Sequence, residues 1–125
     1  MRISEAAERL GVSADTLRYY EKIGLLRDID RVGGRRSFGA KDIAWLEFIR
    51  RLKETGMELK MIKAYSDMRH QGDATLSQRK AMLLDHRQGL EQRIKALEAH
   101  LRALDKKITW YETKEEEHAL RTRTG

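Results

Sequence analysis

A seven-residue repeat governs the second half of this chain. Leu76, Leu83, Leu90, Leu97, Leu104 and Tyr111 recur at that interval, with Ile94, Leu101 and Ile108 at the interleaved positions. Such spacing keeps one apolar stripe along one side of a helix, which is what a coiled coil requires. A helix over 75–112 is expected, opened by a capping box in which the Thr75 hydroxyl and the Gln78 side chain each satisfy a backbone N–H. From Leu76 to Tyr111 it would run about 54 Å at 1.5 Å per residue, too long for its stripe to be covered by a small N-terminal head. No other segment is apolar enough to fold back on it, so the stripe predicts a second chain. Leu83, Leu90, Ile94, Leu97, Leu101, Leu104, Ile108 and Tyr111 are the expected dimerisation residues. Glu91 with Lys95 and Glu98 with Arg102 stand four apart in the favourable order, adding about 0.2–0.5 kcal/mol each. Arg87 at an interleaved position and Gly89 in mid-helix, where Gly costs roughly 1 kcal/mol relative to Ala, make the first heptads the looser ones. The polar segment 113–125 is expected to fray.

The residues before the repeat, 1–71, read as a separate head. Ser4 is a candidate cap for a first short helix that carries Ala6, Ala7 and Leu10 inward, and Gly11 supplies a turn. Ser13 then caps a second helix, in which Leu17 and Ile23 face the core. Thr16, Arg18, Tyr19, Tyr20 and Lys22 are left over much of the remaining surface. Two short capped helices joined by a tight turn form a helix-turn-helix, whose second helix suits phosphates and base edges. Gly24 stops that helix, and Leu25-Leu26 packs back on the core. Ile29 to Val32, Gly33-Gly34 and Arg35 to Phe38 then read as a hairpin, because a Gly-Gly pair supplies the positive φ angles of a tight turn. A hairpin carrying Arg35 and Arg36 beside a helix-turn-helix is a wing.

From Lys41 to Glu54 the residues Ile43, Ala44, Trp45, Leu46, Phe48, Ile49 and Leu52 give a helix with a broad apolar face, closed by Gly56. A fourth helix is expected over Glu58 to His70, with Leu59, Met61, Ile62, Tyr65 and Met68 available to the core. Trp45, Met57, Met61, Tyr65 and Met68 are at once core candidates and the lining of a conceivable effector pocket. The fold class is therefore mainly all-α: a winged helix-turn-helix head with a short β-hairpin, followed by a long coiled-coil helix.

Composition excludes several classes of function. The 125 residues contain no cysteine, so disulfides, thiolate metal sites, iron–sulfur clusters and reactive-thiol chemistry are ruled out. His70, His86, His100 and His118 show no close ligand spacing, and no metal or other cofactor is expected. No phosphate-cradling glycine loop or His-Glu metal motif points to an enzyme. No segment approaches the roughly 18 apolar residues that cross a bilayer, so a cytoplasmic protein without a membrane partner is expected. The net charge of +6 suits a polyanion, but the excess divides evenly between residues 1–75 and 76–125 and says little about where one would bind.

Ile3 to Ala7, Val12 to Leu26, Arg36-Ser37-Phe38, Asp42-Ile43 and Leu52 to Leu59 together resemble the MerR family of bacterial transcription regulators. The segment Thr16-Leu17-Arg18-Tyr19-Tyr20-Glu21 is the most specific part of that likeness, which extends over nearly the whole chain. The resemblance implies a homodimer joined by an antiparallel coiled coil, bound to a pseudo-palindromic promoter site in double-stranded DNA. It implies that the DNA is bent and untwisted until RNA polymerase can use it, under control of a possible small-molecule effector. Arg18, Tyr19 and Arg36 are implied on the DNA backbone. Trp45 to Leu52 is similar to the aldehyde-responsive branch of the family, but Arg51 stands where a cysteine is common. Thiol-based aldehyde sensing is excluded with it, as are the cysteine-based metal and redox responses. Phe38 replaces a frequent wing tyrosine.

The expected DNA-binding residues are Ser13, Thr16, Arg18, Tyr19, Tyr20, Lys22, Arg35 and Arg36. An architectural DNA-bending protein with no effector, and a coiled-coil adaptor whose head binds protein, are the alternative readings.

Overall fold

The computed structural model describes residues Met1–Thr124. Its elements are α1 (Ile3–Leu10), α2 (Ala14–Lys22), β1 (Asp30–Val32), β2 (Arg35–Ser37), α3 (Ala40–Glu54), α4 (Leu59–Gln71), a 3-10 turn (Asp73–Thr75) and α5 (Leu76–Thr124). The chain divides into two compact units, Met1–His86 and the residues from Arg87 onward.

In the first unit, α1 ends at Gly11, whose φ of 68° is the left-handed conformation that closes a helix. Its start differs from expectation. Ser4 lies inside α1, and Arg2 is the capping position, with its N–H donated to the Glu5 carboxylate at 3.4 Å. A carboxylate near a helix N-terminus also opposes the helix dipole favourably. Ala6, Ala7 and Leu10 of α1, Leu17 of α2, Leu25 and Leu26 after it, and Ile43, Leu46, Ile49 and Leu52 of α3 form the core, joined by Ile62 of α4. Ile23 packs against this core half-buried. Trp45 is buried as well and donates its indole N–H to the Leu25 carbonyl at 2.7 Å, which fixes the chain leaving α2 against α3. Tyr65 stacks on it with centroids 6.1 Å apart, and the Arg69 guanidinium lies 4.3 Å from its ring centroid. Trp45 is thus part of the core, and Tyr65 packs half-buried against it.

The hairpin is shorter than its apolar boundaries suggested. Antiparallel pairs run Asp30 to Ser37, Arg31 to Arg36 and Val32 to Arg35. Gly33 and Gly34 both have positive φ, 59° and 78°, the combination that a two-residue turn of matching twist needs. Phe38 leaves the strand, enters the core, and exchanges backbone hydrogen bonds with Met1 at 2.7 and 3.0 Å.

One expectation at the start of the long helix is corrected. Thr75 does not open a capping box. It is buried in the 3-10 turn, where its hydroxyl lies within hydrogen-bond reach of the Met68 and Gly72 carbonyls and accepts from Arg79 Nε at 3.1 Å. The head also runs past residue 71, because the opening turns of α5 pack on it. Met82 and Leu83 lie against the core, and Thr55 Oγ1 is 2.8 Å from His86 Nε2. Leu83, an expected dimerisation residue, is half-buried against this core.

In the second unit the helix continues to Thr124, so residues 113–124, expected to fray, are helical; Gly125 lies outside the described residues. Thr109, Thr113 and Thr122 return their hydroxyls to carbonyls four residues back, which occupies them without breaking the helix. Ile94, Leu97, Leu101, Leu104, Ile108 and Tyr111 are all exposed, while Leu90 is half-buried. Glu91 pairs with Arg87 at 3.4 Å, the reverse of the expected partnership with Lys95.

Candidate nucleic-acid interface

The second helix of the head is held at both ends. Ser13 Oγ accepts the Thr16 N–H at 3.0 Å and is 2.8 Å from the Thr16 hydroxyl, so both side chains crown the helix start. At the other end Leu25 and Leu26 donate to the Tyr20 carbonyl, closing α2 on the core. Between these fixtures Arg18 and Tyr19 are about half exposed, and Lys22 is exposed. The Arg18 guanidinium is steadied by Asp15 at 2.8 Å, an ion pair open to solvent and therefore cheap to exchange for another anion.

Tyr20 is not on this face. Its exposure is 4%, and its hydroxyl accepts from Lys53 Nζ at 3.0 Å. The reason is helical phase: Leu17 and Tyr20 stand three apart, so both turn to the core while Tyr19 turns out. A tyrosine is amphipathic enough that adjacency to Arg18 and Tyr19 said nothing of its direction.

The wing meets α2 through a carboxylate. Arg36 Nε donates to Glu21 Oε1 at 2.8 Å, and an Arg31 terminal nitrogen lies 4.0 Å from the same oxygen. Arg31 and Arg36 are directly paired across the hairpin, an arrangement of like charges that is unfavourable unless an anion stands beside them. Glu21 is that anion. Arg35 points no ion pair or hydrogen bond at any group among the described residues, and is exposed.

These elements enclose a hollow of about 350 Å³ lined by Arg2, Ile3, Ser4, Arg18, Arg31, Gly34, Arg35 and Arg36. Five arginines, from the start of α1, from α2 and from both wing strands, thus line one concave surface. Guanidinium presents forked N–H donors that match phosphate oxygens, so the surface is built for a polyanion with repeated phosphates. Sequence reasoning missed Arg2 and Arg31. Arg2 was hidden by its place before the first helix. Arg31 was discoverable, since a two-residue Gly33-Gly34 turn puts it opposite Arg36.

The family model for MerR HTH regulatory proteins matches residues 1–68, and that for the MerR DNA-binding region matches residues 43–107. The chain belongs to the MerR family. An uncharacterised HTH-type transcriptional regulator of Haemophilus influenzae is 37% identical over 110 residues, covering 87% of this chain and 82% of that protein. The HTH-type transcriptional regulator AdhR of Bacillus subtilis is 37% identical over 91 residues, 72% of this chain and 65% of AdhR. Among solved structures, a MerR family regulator from Listeria monocytogenes superposes with a TM-score of 0.87 at 36% identity, covering 100% of this chain and 99% of that one. HiNmlR, a MerR family regulator lacking the sensor domain and bound to promoter DNA, superposes with a TM-score of 0.80 at 36% identity over 90% of each chain. This MerR protein is a DNA-binding transcriptional regulator, and its winged helix-turn-helix lies within the match to the HTH model. None of its described helices is long and apolar enough to cross a membrane.

Proposed function

We propose that this MerR regulator acts as a homodimer on a pseudo-palindromic promoter site, which it bends and untwists to control access by RNA polymerase in the cytoplasm. The observation that carries the reading is the arginine-lined hollow between α1, α2 and the wing. Arg18, Tyr19, Arg35 and Arg36 contact phosphates, joined by Arg2 and Arg31; Ser13, Thr16 and Lys22 lie toward the base edges. Tyr20 supports α2 from the core side. Exposure of Ile94, Leu97, Leu101, Leu104, Ile108 and Tyr111 along one helix supports an antiparallel coiled coil as the dimer joint, because water is a poor neighbour for so long a stripe. Two heads held at a fixed separation by such a joint gain their second set of contacts only on deformed DNA. Bending of a site of this length costs on the order of 1–6 kcal/mol, which the added phosphate contacts offset. An effector would act by shifting which dimer conformation is favoured.

Selection of bound sequences from random duplex DNA, run with the wild type and with an Arg18→Ala, Arg36→Ala double variant, tests the reading. A pseudo-palindrome recovered by the wild type alone is expected. No enrichment by either protein would overturn it in favour of a protein-binding adaptor.

A further inference from the structure

Away from the arginine hollow, the head carries another of about 310 Å³ between the helix-turn-helix and α3, and the two share no residue. Leu10, Leu17, Tyr20 and Leu46 form its buried floor, and the turn at Gly11 and Val12 forms one wall. The other wall is α3, where Leu46, Arg50 and Lys53 follow at intervals of four and three and so share one side of the helix. The hollow is apolar at its base, cationic along one wall, and at the small end of the range of ligand pockets, about 300–1,000 Å³.

Neither cation has all its donors spent. Lys53 Nζ donates to the Tyr20 hydroxyl at 3.0 Å, lies 5.5 Å from the centroid of that ring, and has no carboxylate partner among the described residues. An ammonium has three donors, so two remain. Arg50 Nη1 donates to the Leu10 carbonyl at 3.3 Å, which draws the guanidinium from α3 to the end of α1. Its Nε is 3.8 Å from Glu54 Oε1, longer than a hydrogen bond, so the fork keeps free N–H groups as well. A lysine on a solvated helix face turns its ammonium to water. Lys53 turns it instead to the phenol of a buried tyrosine, beside an apolar floor.

We propose that this hollow binds a small amphipathic carboxylate with an alkyl or aryl body. Arg50 and Lys53 take the carboxylate oxygens, and the body lies on Leu10, Val12, Leu17 and Leu46. The guanidinium fork matches two carboxylate oxygens, and the ammonium adds a point charge. A phosphate of DNA has no apolar body and would leave the floor unused. Glu54 gives up its loose pairing with Arg50 when the ligand enters. The inference stands independently of the promoter reading, because the hollow faces the core side of α2, away from Arg18 and Tyr19, and is filled without DNA.

The test is titration of the full-length, nitrogen-15-labelled protein with octanoate and with phenylbutyrate, followed through its backbone amides. Saturable binding of one carboxylate per chain is expected, with the largest shifts at Gly11, Val12 and Tyr20 and none at Gly33 and Gly34. Octanol and octylammonium, which share the body of octanoate but not its charge, should bind about tenfold more weakly, the worth of a hydrogen bond to a charged group. Lys53→Met and Arg50→Met keep much of each stem and should each weaken octanoate by a similar factor, while Glu54→Gln should tighten it. Octanol binding as tight as octanoate, shifts spread over the wing and the long helix, or undiminished affinity in a Lys53→Met, Arg50→Met double variant would overturn the site. So would the failure of both carboxylates to saturate; a duplex-binding salt slope lowered by about one in Lys53→Met would then mark Lys53 as one more phosphate contact. The amide shifts and the two uncharged or oppositely charged controls are read on the wild type, so the test stays decisive if a variant fails to fold.

Discussion

Arg36 of the wing donates from Nε to the Glu21 carboxylate of α2 at 2.8 Å, and both side chains are only about a quarter exposed, 26% and 27%. The bond joins the two elements that carry four of the five arginines lining the hollow. It is charge-assisted and partly shielded, which places it above an ordinary surface ion pair in strength. It also lets Arg31 and Arg36 stand opposite one another on a two-stranded ribbon. A carboxylate beside a phosphate-binding surface is electrostatically unfavourable for DNA, so Glu21 earns its place by holding the wing in register with α2.

From this follows a prediction in two directions. Glu21→Ala removes a negative charge, so binding to random duplex at low salt should strengthen slightly. It also releases Arg36, so the preference for the operator over random sequence should fall about tenfold. Arg36→Ala should weaken both and lower the salt slope by about one per half-site. Competition binding at two salt concentrations measures each quantity. An unchanged specificity ratio in Glu21→Ala would show that the bond does not position the wing.

Most of the head was legible in the sequence because its signals are local. Gly11, Ser13 and the Gly33-Gly34 pair each impose a backbone conformation on their own neighbours, and all three act as expected. Misreadings arose where the deciding contact is distant in sequence. Tyr20 is claimed by Lys53, and Thr75 by the carbonyl of Met68. Those contacts cannot be read from helical periodicity, because periodicity says which residues share a side and not what covers it. The repeat runs through Leu76 and Leu83, while the first compact unit extends to His86. Arg2 joined the candidate site for a complementary reason, since only the folded head brings the start of α1 to the hollow that Arg18 and the wing line.

The exposed stripe makes a second prediction. Leu97 and Leu104 are 66% and 61% exposed in the single chain. Truncating a buried leucine costs about 2–5 kcal/mol, and a carboxylate in its place adds the penalty of an unpaired charge. The Leu97→Asp, Leu104→Asp double variant is expected to sediment as a monomer at micromolar concentration and to lose high-affinity operator binding. Its head, which lies before Arg87, should keep its near-ultraviolet signal from Trp45. A variant that remains dimeric would place the joint elsewhere.

Acid stability should report on the tie between the end of α2 and α4. Asp67 Oδ1 accepts from Arg27 Nη2 at 2.8 Å and from Lys63 Nζ at 2.9 Å. The Lys63 hydrogen bond, aided by the charges of Lys63 and Arg27, holds the carboxyl below its ordinary 3.8 despite some desolvation. A folded-state pKa below the unfolded one means that the unfolded chain takes up the proton more readily. The contribution is therefore complete above the ordinary value and is lost as pH falls through the lowered one. His70 is depressed from 6.5, chiefly by desolvation, so acidification costs stability there too, in a window just below 6.5. Urea unfolding between pH 3 and 7 should show Asp67→Asn flattening the lower limb and His70→Gln the upper. With Asp67 44% exposed, its limb should amount to less than about 1 kcal/mol.

One substitution should stabilise the head. Ser66 of α4 is fully buried, at 0% exposure, and its hydroxyl has no hydrogen-bond partner among the described residues. An unsatisfied buried polar group costs about 1–3 kcal/mol, and serine is also a poorer helix former than alanine by a few tenths. Ser66→Ala removes the oxygen and keeps the rest of the side chain, leaving a void of less than one methyl group. The expected gain is about 1 kcal/mol, read as a higher urea midpoint with an unchanged slope. Because a dimer's stability depends on concentration, wild type and variant must be compared at the same protein concentration. Operator affinity should not change, since Ser66 lies in the core and contributes nothing to the arginine hollow. A lower midpoint would mean that the hydroxyl is satisfied in solution, by a buried water held between α4 and its neighbours.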